Sequence, residues 1–225
     1  MSLPLFERAQ FVVSVNDIAA LPPDNANEVA FVGRSNSGKS SAINTLARRN
    51  RLAYVSKTPG RTQLINYFSL GDERFLVDLP GYGFAGVPYA IKAHWEGLLS
   101  AYVGQRKSLS GLVLIMDARH PLKPLDLQML QWFSPTGKPV HALLTKADKL
   151  SRGVALTTLK KVSRDLEALG CNATAQLFSS LNKQGVEEAE QRVSALFVRE
   201  PLRDDLQIEK EKGPGKGDAP GPQQP

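Results

Sequence analysis

Apolar and polar positions alternate along this chain in two rhythms, short unbroken apolar runs and longer stretches with apolar residues every third or fourth position. Glu28 to Val32 is the first core run and reads as a strand; Ser41 to Ala47 can start a helix after it. Leu64 to Leu70 and Arg74 to Asp78 read as two strands turned at Gly71-Asp72, hence an antiparallel pair. From Pro88 onward Ile91, Trp95, Leu98, Leu99, Tyr102 and Val103 recur at helical spacing and read as core. Gly111 to Met116 is continuously apolar and ends in Asp117, as expected of a strand covered on both faces. A helix over Leu125 to Phe133 and a strand over Val140 to Leu144 follow. Leu156, Leu159, Val162, Leu166 and Leu169 mark another amphipathic helix. A last strand, Ala175 to Phe178, precedes a helix burying Val186, Ala189, Val193, Leu196 and Phe197.

Strands alternating with helices imply an α/β fold, a mainly parallel sheet of about six strands with one antiparallel strand and helices on both faces. Phe11 to Val15 either adds an edge strand or packs across the sheet, and Pro22-Pro23 ends that segment. This divides the chain into an extension (1–27), one domain (28–200) and a polar tail (201–225). Gly213 to Pro225 holds four glycines and four prolines and is expected to be disordered.

The 225 residues, 42% hydrophobic and 22% charged, suit a single domain with an ample core. One cysteine, Cys171, excludes an internal disulfide framework and reads as a small buried side chain rather than a nucleophile. No apolar run approaches the roughly 20 residues of a membrane span, and Met1 to Gln10 lacks the order of a secretory signal. A cytoplasmic monomer without membrane attachment is the expectation. Net charge is +6. The stretch Glu209 to Pro225 carries three lysines against three acidic residues, so the excess sits on the body, where it favours polyanionic partners.

The candidate chemistry begins where the first core strand ends. Gly33, Arg34, Ser35, Asn36, Ser37, Gly38, Lys39 and Ser40 match G-x-x-x-x-G-K-[ST], a phosphate-binding loop whose backbone N–H groups and helix N-terminus cradle a phosphate chain. Lys39 is expected to reach the β- and γ-phosphates, and Ser40 to ligate Mg²⁺. The fold is then that of a P-loop NTPase. Asp78, Leu79, Pro80 and Gly81 close the next strand: Asp78 can hold the Mg²⁺ shell, and Gly81 can offer its N–H to the γ-phosphate. Thr145, Lys146, Ala147 and Asp148 lie at the end of another strand, Ser179 and Ser180 at the end of the last. Ligands in such sheets bind beyond the C-terminal strand ends, so all four groups fall at one rim. Asp148 selects the base: a carboxylate accepts both the N1–H and the N2–H₂ of guanine, a donor pair adenine lacks, and such requirements discriminate by roughly 10⁴–10⁵. Lys146 would lay its aliphatic stem over the base.

These motifs, in this order and with Thr62 between the first two, resemble those of the translation-factor-related GTPases. The longer strings Gly33 to Ser41, Lys57-Thr58-Pro59-Gly60-Arg61-Thr62-Gln63, Asp78 to Gly83, Met116-Asp117-Ala118-Arg119-His120-Pro121 and Phe178-Ser179-Ser180 are similar to the EngB (YihA/YsxC) family of bacterial GTP-binding proteins. The likeness covers roughly Phe11 to Arg199. It implies a protein of large ribosomal subunit assembly, needed for normal septation and cell division. Carried over by motif, Ser40 and Thr62 ligate Mg²⁺; Gly60, Arg61, Thr62, Gln63 and Leu64, with Asp78 to Gly81, meet the phosphates. Thr145 to Asp148 take the guanine, and Phe178, Ser179 and Ser180 its far side. Thr145 stands where many GTPases carry Asn.

Ras-like GTPases orient the attacking water with a glutamine after the glycine of D-x-x-G; here that residue is Tyr82. Intrinsic turnover is therefore expected to be slow, with Lys39, Thr62 and Asn36 as the catalytic residues. Asn36 is assigned as ligand to a potassium ion that supplies charge in the transition state. Two readings follow. One is a slow GTPase whose loop Arg48 to Thr62, bearing Arg48, Arg49, Arg51, Lys57 and Arg61, folds around GTP and alters affinity for ribosomal RNA. The other is a nucleotide-responsive ribosome-binding module in which hydrolysis is incidental. An ATP-using kinase is disfavoured by Asp148 and by the lack of a lid insertion.

Overall fold

The computed structural model describes residues 4–53, 64–83 and 89–197, with no side-chain account for 89–92 and 95. Its centre is a sheet of seven strands: β1 (Gln10–Val15), β2 (Asn27–Gly33), β3 (Ile65–Gly71), β4 (Arg74–Asp78), β5 (Leu109–Asp117), β6 (Val140–Thr145) and β7 (Ala173–Leu177). Their order across the sheet is β1-β3-β4-β2-β5-β6-β7. β3 pairs antiparallel with both neighbours, β1 and β4, and every other pairing is parallel, so β3 is the single reversed strand. The expectation of about six strands is corrected to seven, because Phe11 to Val15 joins the edge instead of packing across the sheet. The Phe11–Phe68 edge-to-face ring contact, at 6.0 Å, and the 2.6 Å bond from the Ser14 hydroxyl to Asn66 hold it there.

Among the described residues the five α-helices are α1 (Lys39–Leu46), α2 (Tyr89–Gln105), α3 (Pro124–Phe133), α4 (Arg152–Ala168) and α5 (Val186–Ala195). Alternation along β2 sorts them into layers. Val29 and Phe31 pack with Ile43 and Leu46 of α1 and Ala189 and Val193 of α5. Ala30 and Val32 face Leu99 and Val103 of α2, Leu130 and Phe133 of α3, and Val162 and Leu166 of α4. The result is the three-layer α/β/α architecture expected from the motif. Every residue of β2 after Asn27 is buried, which is why that strand reads as a continuous apolar run apart from Glu28.

Glu28 is the exception. Fully buried at the start of β2, it meets the Arg106 guanidinium through Nε at 3.2 and 3.1 Å and through Nη2 at 2.5 Å, and the Tyr102 hydroxyl donates to it at 2.7 Å. Arg106 is also buried; desolvation pulls its pKa down, but Glu28 outweighs this and holds it above the ordinary value. The pair ties the root of the phosphate-loop strand to the end of α2.

Several expected core positions differ. Leu156 and Leu169 are exposed, since the inner face of α4 is centred on Ala155, Val162 and Leu166. Cys171 is half-buried instead of buried. The side chains of Ile91 and Trp95, the loop 54–63 and the tail 201–225 lie outside the described residues. Among the described residues no helix is long and apolar enough to cross a membrane.

Candidate functional site

The eight residues of the phosphate-binding motif link β2 to α1. Gly33 must be glycine: a Cβ there would lie 2.5 Å from the Ile115 carbonyl on β5. Gly38 caps α1 at φ +100°, a backbone most side chains resist. Ser37 is buried, and among the described residues its hydroxyl has no hydrogen-bond partner. The loop is stitched to the next motif by backbone bonds, Ser35 N–H to the Tyr82 carbonyl at 2.7 Å and Tyr82 N–H to the Gly33 carbonyl at 3.3 Å. Lys39 pairs with the buried Asp78 carboxylate at the end of β4. Leu79 and Pro80 turn into the protein and are buried. At Gly81 a Cβ would come no closer than 3.5 Å to any described residue other than its chain neighbours, so these residues leave room for a side chain there. Arg34 and Ser40 are half-buried, and Asn36 is exposed at φ +60°. Leu64 is half-buried just before β3; Gly60, Arg61, Thr62 and Gln63 lie outside the described residues.

Tyr82 points away from this rim. Its ring is buried, and its hydroxyl donates at 2.7 Å to Asp126, the third residue of α3. The other Asp126 oxygen accepts from the Lys123 N–H at 2.9 Å, closing the start of α3. Desolvation pushes the Tyr82 phenol well above its usual range, reinforced by Asp126, and raises the Asp126 carboxyl. This side chain is committed to the packing of α3.

The base-side residues hang from β5, β6 and β7. Asp117 at the end of β5 sits opposite Thr145 at the end of β6. Thr145 is buried, and its hydroxyl hydrogen-bonds the Ser37 carbonyl of the phosphate loop, with the Met116 carbonyl 3.0 Å away. It thus braces loops, and its hydroxyl is taken up inside the protein. Lys146 adopts φ +57°, which carries its side chain back over the loop. Its ammonium reaches the Asn36 carbonyl at 2.6 Å and Asp117 Oδ2 at 2.9 Å. Arg119 grips the same carboxylate: its Nε and N–H reach Oδ1 at 2.9 and 3.0 Å, its Nη2 reaches Oδ2 at 2.6 Å. Burial opposes ionisation of Asp117, but the Arg119 and Lys146 bonds outweigh it and hold the carboxyl well below the usual range.

Asp148 follows in a short helical turn, Ala147–Lys149. The buried Ser179 hydroxyl donates to its Oδ1 at 2.6 Å and is the main reason its pKa is lowered; Lys149 lies 3.5 Å from Oδ2. Ser179 also accepts from the Leu181 N–H at 3.2 Å, which fixes its orientation. Ala147 is buried and donates its N–H to the Phe178 carbonyl. The Phe178 ring is wholly inside the core, so only its backbone lies near this rim, and Ser180 is half-buried beside it. The fold therefore gathers Gly33 to Ser40, Asp78 to Gly81, Thr145 to Asp148 and Phe178 to Ser180 at one edge. Two polar partners escaped the sequence reading, Asp126 and the Asp117–Lys146 contact. The position of Asp117 at the end of β5, opposite the start of the Thr145 to Asp148 motif, was the available signal for the second.

Comparisons with known proteins agree with this geometry. The family described as "50S ribosome-binding GTPase" matches residues 28–146. A "Probable GTP-binding protein EngB" of Methylobacillus flagellatus is 63% identical over 188 residues, 84% of this chain and 91% of that protein. One of the same description from Nitrosomonas europaea is 56% identical over 222 residues, covering 97% and 100%. Among solved structures, a crystal structure of a probable GTP-binding protein EngB superposes with a TM-score of 0.61 at 20% identity, covering 76% of this chain and 98% of that one, a match of fold.

Proposed function

We propose, from the premise that this chain belongs to the EngB family of GTP-binding proteins, that it is a slow GTPase acting in assembly of the large ribosomal subunit. The observation that carries the reading is the Asp148 carboxylate, held ionised by Ser179 at the rim that also holds the phosphate loop. There it accepts the two adjacent donors of guanine, while the Lys146 stem lies over the base. Glycine at 81, where the described residues leave room for a Cβ, fits a position reserved for the γ-phosphate. Lys39, paired with Asp78 in the structure, would exchange that carboxylate for phosphate oxygens.

Ser40 and Asp78 are hard oxygen donors at the correct rim for Mg²⁺, and Thr62, outside the described residues, would join them. The ion supplies charge neutralisation between the β- and γ-phosphates when bound. Asn36, exposed on the loop, would serve K⁺ in the same sense. Hydrolysis of GTP to GDP and phosphate then proceeds without a side chain at position 82 to orient water, because the Tyr82 hydroxyl is fixed on Asp126. A low intrinsic rate follows, on the order of the 10⁻⁴ s⁻¹ of unassisted GTPases or below. Equal hydrolysis in sodium and potassium would remove the role of Asn36.

The protein would act as a cytoplasmic monomer, its net charge of +6 favouring ribosomal RNA, with GTP ordering residues 57–63 to set the affinity. Impaired septation is then the downstream result of failed subunit assembly. Guanine nucleotide affinity measured beside co-sedimentation with large subunits in each nucleotide state tests the reading, which fails if ATP and GTP bind equally. The fixed Tyr82 also favours a second reading, a nucleotide-responsive binding module with incidental hydrolysis. Single-turnover hydrolysis with and without large subunits separates the two, since only the first gains rate on the ribosome.

A further inference from the structure

Lys146 reaches its place through a neighbour that sequence motifs for guanine recognition leave out. Cross-strand register sets Asp117 opposite Thr145, so Lys146, the residue just after β6, turned back by its positive φ, brings its ammonium to Asp117 Oδ2 at 2.9 Å. The Asp117 carboxylate cannot swing away, because Arg119 engages both of its oxygens from two nitrogens of one fork, at 2.9 and 2.6 Å. The Lys146 ammonium is then fixed at two points, Asp117 and the Asn36 carbonyl, and the stem between ammonium and backbone has little freedom left.

We infer that Asp117, oriented by Arg119, is a positioning residue for nucleotide binding that holds the Lys146 stem as one wall of the base site. The inference rests on the reading of Lys146 as that wall. It differs from the role of Asp148 in kind. Asp148 distinguishes bases by their donors, whereas a wall of methylenes contacts any purine, so Asp117 contributes affinity without base preference.

The test uses the full chain and the isosteric variant Asp117→Asn. An amide keeps the shape of the carboxylate but turns a donor toward either Arg119 or Lys146, so the ion pairs are lost while the volume is kept. A fluorescent guanine nucleotide reports GDP affinity and dissociation rate, with xanthosine diphosphate as the second ligand. Asp117→Asn is expected to weaken GDP about tenfold, the effect of one half-exposed charge-assisted bond, chiefly by faster dissociation. The GDP to xanthosine diphosphate ratio should stay as in the unaltered protein. Lys146→Met keeps an apolar stem without the ammonium and should weaken GDP similarly. In the Lys146→Met background, Asp117→Asn should then be silent, which a merely structural role would not produce, and thermal unfolding without nucleotide reports any loss of folding separately. Unchanged GDP binding in Asp117→Asn, or full additivity of the two substitutions, overturns the inference while leaving Lys146 as the wall. Unchanged binding in Lys146→Met also overturns it, since anchoring the ammonium then adds nothing, whereas unchanged binding in Lys146→Ala, which deletes the stem, removes the wall itself, and the inference falls with it for that different reason.

Discussion

Replacing Asp148 by Asn isolates the claim that one carboxylate chooses the base. In the protein, Oδ1 already accepts from Ser179 at 2.6 Å, and each oxygen keeps a lone pair for one guanine donor. Asn retains one such oxygen. If it keeps Ser179 and one guanine donor, its amide nitrogen faces the other guanine N–H. One charge-assisted bond is then lost, at about 1.5–3 kcal/mol, and a donor pair is left facing without an acceptor, at about 1–3 kcal/mol. The sum, about 2.5–6 kcal/mol, corresponds to a loss of GDP affinity of about 10²–10⁴-fold. Xanthine carries a carbonyl oxygen where guanine carries the amine, and the new amide nitrogen donates to it. Titration calorimetry with GDP, xanthosine diphosphate and ADP should show the first weakened, the second strengthened and the third unchanged. Ser179→Ala serves as control, because it loosens Asp148 without altering its acceptors and should weaken GDP with no gain for xanthine. Retention of GDP preference in Asp148→Asn would refute the assignment of the base site to this carboxylate.

Arg106→Met leaves the fully buried Glu28 without its cation, and urea unfolding should show a loss of about 3–5 kcal/mol. The double variant Glu28→Met with Arg106→Met should lose less than the sum of the singles, and simple additivity would contradict the pairing. Tyr82→Phe leaves Asp126 Oδ1 without its donor and should cost about 1–3 kcal/mol by thermal unfolding, with single-turnover hydrolysis unchanged within about twofold. The lowered pKa of Asp148 means its ionised form persists below the ordinary carboxylate value near 4. GDP affinity should therefore hold from pH 8 to about pH 4 and fall as pH drops through the lowered value, a fall that moves to higher pH in Ser179→Ala. Arg49→Ala with Arg51→Ala should flatten the salt dependence of ribosome binding, by about 0.7–0.9 in log–log slope for each phosphate no longer neutralised. Arg48→Ala should instead lower stability, since Arg48 is engaged by Glu7 at 2.7 Å and Glu190 at 3.7 Å; an unaltered melting temperature would place its role elsewhere.

The rim was legible because its motifs are local: a strand end, a few residues of fixed chemistry and a turn or helix start. β2, β5 and β6 were legible because burial on both faces leaves a continuous apolar run. β1 was legible only as one of two alternatives, since Phe11 and Val12 are both exposed at 58% and 49% and a register shift between Phe11 and Val13 breaks the alternation. The outward Leu156 and Leu169 kept a helical period that one-dimensional reading cannot distinguish from a core face. Buried polar partnerships were the least visible. Glu28 meets Arg106 across 78 positions, Tyr82 meets Asp126 across 44, and only the folded sheet brings either pair together.

The Thr145 hydroxyl and the Lys146 ammonium both grip carbonyls of the phosphate loop, at Ser37 and Asn36. The loop is thus tensioned from behind by two side chains of one strand end, so its shape on that side depends on β6 as much as on α1. At the proposed nucleotide site, substitutions that loosen this brace would then be felt mainly as faster dissociation. For the slow GTPase proposed above, nucleotide departure would then be the step on which a ribosomal partner has most leverage.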